Sequence, residues 1–270
     1  MNDLLPQVAA LKDDAVFRLG FRVLDWEAFA GPGLSSKAEW KTWAHRESAD
    51  WSSSATPTAP VQGMAPILRR RADAADRLAL EIAFRLSPQA GVPTVFSSRH
   101  GQVTRSAAML RAQALGEPAS PMDFSLSVHN ATAGQYSIAS GDKHASSSLS
   151  SRHECFAAGL LEAMGMLAEG AHQVLLVSSD PVMPEIYGDA EQGEPAGYSF
   201  GLLLGCEGGE AFSLALRTRE AHATAADANP DRFPQALAFL RMLAGEKPSC
   251  AWLRSGRGWT WSRDAADAGV

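Results

Sequence analysis

The stretch ECFAAGLLEAMGMLAEGAHQVLLVS, residues 154–178, decides the fold. From Glu154 to Ala168, small and apolar residues follow helical spacing, and Glu169-Gly170 interrupts the run. Gln173 to Ser178 is then a continuous apolar run, the pattern of a strand covered on both faces. A helix that feeds at once into such a strand belongs to an α/β sheet with helices on both sides.

Working outward, the same alternation of elements recurs. Val16 to Phe29 alternates loosely and stops at Gly31-Pro32-Gly33, which predicts an early strand and a turn. Glu47 to Gly63 is rich in Ser, Thr, Pro and Ala and reads as a long exposed loop. Between Arg71 and Leu86 the residues Leu78, Ile82 and Leu86 recur every fourth position with Ala75 and Ala79 beside them, so a helix with one buried face is expected. Gly91 to Phe96 has strand character, Val103 to Leu115 returns to helical spacing, and Ala133 to Ala139 is a further candidate helix. Strand-type runs follow at Ser199 to Leu204 and Phe212 to Leu216, then a helix from Phe233 to Leu243. Trp252, Trp259 and Trp261 flank Ser255-Gly256-Arg257-Gly258, the pattern of a terminal hairpin with its tryptophans on one face.

Composition narrows the function. In 270 residues, 46% are hydrophobic, enough for a large core. A net charge of -6 and the single short basic run Arg69-Arg70-Arg71 argue against a nucleic-acid surface. No apolar stretch reaches membrane-spanning length and the N-terminus lacks a signal-peptide pattern, so a cytoplasmic protein is expected. Three cysteines, Cys155, Cys206 and Cys250, without C-x-x-C spacing imply neither a disulfide framework nor a zinc site. No cofactor is expected.

Four features bear on chemistry. Gly197-Tyr198-Ser199-Phe200-Gly201 matches the G-x-S-x-G pattern of a serine nucleophile, but that elbow needs a helix after the serine, whereas Leu202-Leu203-Leu204 is β-like; Ser199 is expected in a strand. His153-Glu154 resembles half of a zinc-deaminase signature, and the cysteine half is absent. Cys155 opens a helix, where the dipole can stabilise a thiolate, although no base is evident and a small buried residue is the plainer reading. Arg69 to Arg71 is a solvated helix start or, as a minority reading, a dock for an acidic carrier protein.

Ser120 to Ser179 is similar to the N-terminal half of β-ketoacyl synthases. The resemblance rests on Ser120-Pro121, Asn130-Ala131-Thr132-Ala133-Gly134-Gln135, Ile138, Gly141-Asp142-Lys143, the strand-like stretch to Ser151, Gly159 to Ala163, Glu169-Gly170 and Gln173 to Ser178. It implies a thiolase-like α/β fold, mainly its N-terminal half with a truncated or degenerate C-terminal half. Residues 1–220 would form this domain, and 221–270 a short helix and Trp-rich hairpin packed on it. In the family a G-x-K/R-G-P turn leads into a strand that ends at a nucleophilic cysteine. Here the turn reads Gly141-Asp142-Lys143-His144-Ala145, and the nucleophile's place falls on His153.

That departure removes the thioester chemistry of a condensing subunit, since an acyl-imidazole is labile to water. Ketosynthase-like chains without the cysteine are chain-length factors, and the short form with Val95 to Gly101 and a Trp-rich end resembles those of aryl polyene pigment clusters. The resemblance implies pairing with a full-length ketosynthase and contact with acyl carrier protein through the complex. It implies that Asn130, Ala133 and Gly134 lie at the interface, and that positions 147, 149 and 151 (Ser147, Leu149, Ser151) belong to a strand continuing the sheet into the partner. Met122, Asp123, Phe124 and Leu126 fall where family members reach toward the partner's acyl tunnel. The alternative is a stand-alone acyltransferase or malonyl decarboxylase using Cys155 or His153.

Overall fold

A computed structural model describes residues 15–46, 55–86, 91–118, 120–187, 197–218, 228–230, 234–254 and 257–264. Nine strands form one mixed sheet: β1 (Ala15–Phe29), β2 (Thr94–Ser97), β3 (Ser146–Leu149), β4 (Gln173–Asp180), β5 (Tyr198–Gly205), β6 (Glu210–Thr218), β7 (Ala228–Pro230), β8 (Ser249–Arg254) and β9 (Arg257–Arg263). Their order across the sheet is β3-β2-β4-β5-β1-β6-β9-β8-β7. β2 runs parallel to both β3 and β4, while β4, β5, β1, β6, β9 and β8 are successively antiparallel.

Among the described residues, eight α-helices accompany the sheet: α1 (Lys37–Ala44), α2 (Pro66–Arg69), α3 (Ala74–Leu86), α4 (Val103–Ala114), α5 (Pro121–Ser125), α6 (Ala131–Ser140), α7 (Cys155–Ala168) and α8 (Gln235–Ala244). Helices cover both faces of the sheet, and β4 shows why. Its Val174 and Leu176 enter one core with Trp40, Phe156, Leu160 and Phe239, while Leu175 and Val177 enter the other with Leu78, Ile82, Phe96 and Tyr136. Successive strand side chains point to opposite faces, so an unbroken apolar run is what a doubly covered strand requires.

Two glycines set the helix-to-sheet distance. A Cβ on Gly159 of α7 would lie 2.8 Å from Leu176 Cδ1, and one on Gly201 of β5 would lie within 2.4 Å of Ile82 in α3. Only a residue without a side chain allows both approaches.

The terminal hairpin β8–β9 places Trp252 opposite Trp259, and Trp261 is fully buried against Phe156 and Phe239. Its turn residues 255–256, and the start of the last helix at 233, lie outside the described residues. The exposed loop expected over 47–63 needs correction within 55–63. Ala59 and Val61 are fully buried, and Glu81 of α3 accepts a hydrogen bond from the Val61 amide. Apolar residues scattered without a period can still be drawn under a helix, and no local pattern reveals it.

Candidate functional site

The site begins where β3 ends. After Leu149 the chain makes a single 3-10 turn, Arg152–Glu154, in which Arg152 adopts φ 50. This left-handed conformation is costly for a non-glycine residue, and the turn leads directly into α7. His153 is half-buried there and lines a cavity of about 10 Å³ with Arg99, Cys155, Asp180, Tyr198 and Gln235. Such a space holds no more than about one water.

Asp180, at the end of β4, is 2% exposed and accepts from Arg99 Nε at 2.9 Å, from the Arg99 amide at 2.8 Å and from the Tyr198 hydroxyl at 3.1 Å. Burial first, then the adjacent Asp180 carboxylate, hold the Tyr198 phenol well above its usual pKa, so it remains a hydrogen-bond donor. The ion pair Arg99–Asp180 is buried on both sides.

Cys155 does not act as a thiolate in this setting. Burial pushes its pKa up to about 11, its Sγ donates to the Arg152 carbonyl, and the Ser151 amide donates to the sulfur. The helix start is occupied too: the Ala157 amide donates to Gln235 Oε1 from α8 at 3.1 Å, and Gln235 is itself buried. Amides at a helix N-terminus bind anions only while they are free, and this one is spent internally. We therefore expect iodoacetamide at pH 7.5 to label the half-buried Cys206 while Cys155 stays unmodified in the folded chain, with peptide mass spectrometry as the readout. Rapid labelling of Cys155 in the native protein would contradict this geometry.

Ser199 lies inside β5 and is fully buried, so the G-x-S-x-G match is a strand, not an elbow. Among the described residues no cluster of three His, Cys, Asp or Glu side chains is placed to hold a metal. Arg70 and Arg71 are exposed, and Arg69 donates to the carbonyls of Pro60 and Val61. A wider apolar groove of about 550 Å³ opens at the far end of α7, between Leu161, Met164 and Phe21, and Cys206 lines it.

The second part of the site is an outer face. β3 forms one edge of the sheet, and its pairing among the described residues is with β2 alone. Ser147 of β3 donates to Glu162 of α7 at 2.8 Å, Leu149 packs toward the core around α7, and Ser151 lies just before the 3-10 turn. α6 borders β3. On α6 the side chain of Ala133 turns inward and is 4% exposed, whereas Gly134 has open space where a side chain would stand, and Ile138, one turn later, is 72% exposed. Residues four apart on a helix share a face, so Gly134 and Ile138 present a flat apolar strip. α5 and the segment leading to α6 add Met122, Phe124 and Val128, each at least 50% exposed, with Leu126 half-buried and Asn130 exposed. Gly141 closes α6 with φ 74, and the following turn is an Asx turn in which the His144 amide donates to Asp142, where the family pattern has Gly-Pro.

Residues 40–262 match the family model described as "Beta-ketoacyl synthase, N-terminal domain", and the chain belongs to that family. Its architecture is the thiolase-like α/β fold. Among solved structures, the chain is similar to one in the complex of the ketosynthase ApeO with its chain length factor ApeC from Xenorhabdus doucetiae: TM-score 0.79, 29% identity, 91% of this chain and 100% of that one covered. It is also similar in fold to a chain of the ishigamide ketosynthase/chain length factor, with TM-score 0.64, 14% identity and coverage of 90% and 98%. No curated protein sequence matches it. Among the described residues no helix is long and apolar enough to cross a membrane.

Proposed function

We propose that this chain is a non-catalytic chain-length-factor subunit that pairs with an active ketosynthase in the cytoplasm and helps shape the tunnel for its growing acyl chain, in synthesis of the aryl polyene or polyketide type. Acyl carrier protein would be met through the complex. The observation that carries the reading is the edge of β3, unpaired among the described residues, beside the apolar strip of Gly134 and Ile138 on α6, with Met122 and Phe124 of α5 also exposed. An unpaired edge next to exposed apolar side chains is a template for adding a strand and a helix from a partner. Supporting it, the sequence resemblance puts His153 at the place of the family's nucleophile, burial holds the neighbouring Cys155 thiol protonated, and the similar ApeO–ApeC complex is a ketosynthase with its chain length factor. The chain matched there is covered completely by 91% of this one, so it too is short.

The test is co-expression with a full-length ketosynthase of the same family. The two should elute as one stoichiometric complex in gel filtration, and condensation should require both. Met122→Trp, which enlarges a side chain expected to reach toward the partner's acyl tunnel, should shorten the products of the complexes that form. Recovery of a stable monomer that binds no ketosynthase, or condensation by this chain alone with an acyl adduct lost on Cys155→Ala, would refute the assignment.

A further inference from the structure

From the buried polar network under the outer face we infer that Asp76 and Arg105 form a positioning unit that fixes α5 through Asp123, and so sets where Met122 and Phe124 meet a partner. This rests on the pairing reading above and deepens it.

α5 has only five residues and buries none of them. A single helical turn is not stable in isolation, so its place must come from tertiary ties. Pro121 and the Ser120 cap help to start it, with Ser120 Oγ accepting from the Asp123 amide at 3.2 Å. The tie to the body of the protein is Arg105 of α4, whose Nη1 lies 2.8 Å from Asp123 Oδ1.

Arg105 is itself held from the other side. Its Nη2 reaches Asp76 Oδ2 at 3.3 Å, Asp73 Oδ2 at 3.4 Å and the Arg71 carbonyl at 3.3 Å, and its side chain is 9% exposed. Asp76 is fully buried in α3 and also accepts from Gln102 Nε2 and Thr132 Oγ1, each at 2.7 Å. Thr132 sits in the first turn of α6, and Gln102 is the residue before α4. One carboxylate thus joins the starts of α4 and α6 and, through the planar fork of Arg105, reaches α5. A guanidinium offers donors in fixed directions and can serve three carboxylates at once, which a lysine cannot do with the same geometry.

The geometry sorts these residues into roles. Arg105 and Asp76 are embedded, and removing either leaves buried charge unpaired and threatens the fold. Asp123 is the outer end, 39% exposed, so its loss frees α5 while Arg105 keeps its other partners.

The experiment compares Asp123→Ala, Asp123→Glu and Phe124→Ala, singly and combined, in the reconstituted pair with the ketosynthase. We expect Asp123→Ala to shift the melting temperature of the isolated chain by less than about 2 °C. It should weaken ketosynthase binding about fivefold or more and broaden the product lengths. Phe124→Ala should cost about tenfold in the parent and under about threefold in the Asp123→Ala background, because a displaced ring has less contact to lose. Asp123→Glu, which keeps the carboxylate, should restore most of the affinity. Parental affinity and product lengths for Asp123→Ala, or an equal cost of Phe124→Ala in both backgrounds, would overturn the positioning role while leaving the pairing reading intact. Failure of the parent chain to bind the ketosynthase would overturn both.

Discussion

Asp180→Asn should destabilise the folded chain by about 3–5 kcal/mol, because it breaks an ion pair whose two side chains are 4% and 2% exposed, in a site that admits almost no water. The asparagine is nearly isosteric, so the loss reports charge and not volume. In a chain of this size the melting temperature should fall by about 10 °C. Adding Arg99→Met to Asp180→Asn should recover part of the loss, since both charges of the buried pair are then gone; the non-additivity of the two changes, read from urea titrations, measures the pair. A melting temperature within about 2 °C of the parent for Asp180→Asn would show that the ion pair is dispensable. Both partners border the cavity beside His153. The Tyr198 and Ser98 hydroxyls are hydrogen-bonded to the same Asp180 carboxylate.

Ile138→Asp should have the opposite signature. Ile138 is 72% exposed on the outer side of α6, so the isolated chain should keep its stability to within about 0.5 kcal/mol. Association with the ketosynthase should weaken about a hundredfold or more, about 2.7 kcal/mol, because an unpaired carboxylate would be buried at the centre of an apolar contact. Titration calorimetry on the purified subunits reads this directly. An affinity within threefold of the parent would place the contact elsewhere on the molecule. The two variants together separate a residue that holds the chain from one that holds its partner.

The sequence made visible what depends on local period. The four apolar residues of β4 read as a doubly covered strand, and they supply both cores. Leu78, Ile82 and Leu86 located α3, and the tryptophan spacing located the last hairpin. α1 went unread although Ser36-Lys37-Ala38-Glu39 is a capping-box pattern that the structure realises in full, with Trp40 and Trp43 buried behind it. The Ser and Pro that surround it drew attention to loops instead.

The polar part of the site was not legible for a different reason. Arg99 and Asp180 are 81 residues apart in the chain, and Arg105 and Asp76 are 29 apart. A charged residue looks like surface until the fold brings its partner to it, and only the tertiary arrangement distinguishes Asp76, fully buried, from the exposed charges near it. On α6 the family pattern singled out Ala133 together with Gly134, and the helix turns one inward and the other outward; Ile138, which shares the outward face, gains its place from helical geometry.

The position of β1 has a consequence for how the chain is made. It comes first in sequence among the described strands, yet it lies at the middle of the sheet, and its neighbours are Ser199–Gly205 and Glu210–Arg217. During translation it must wait, unpaired, until some two hundred residues have left the ribosome, which at ordinary elongation rates takes roughly 10–40 s. Folding with such distant pairings is slow, and the alternating apolar residues of β1 stay open to chaperones and to aggregation throughout that delay. Slowing synthesis, or deleting β6, should therefore lower the soluble yield far more than changes in the terminal hairpin's turn.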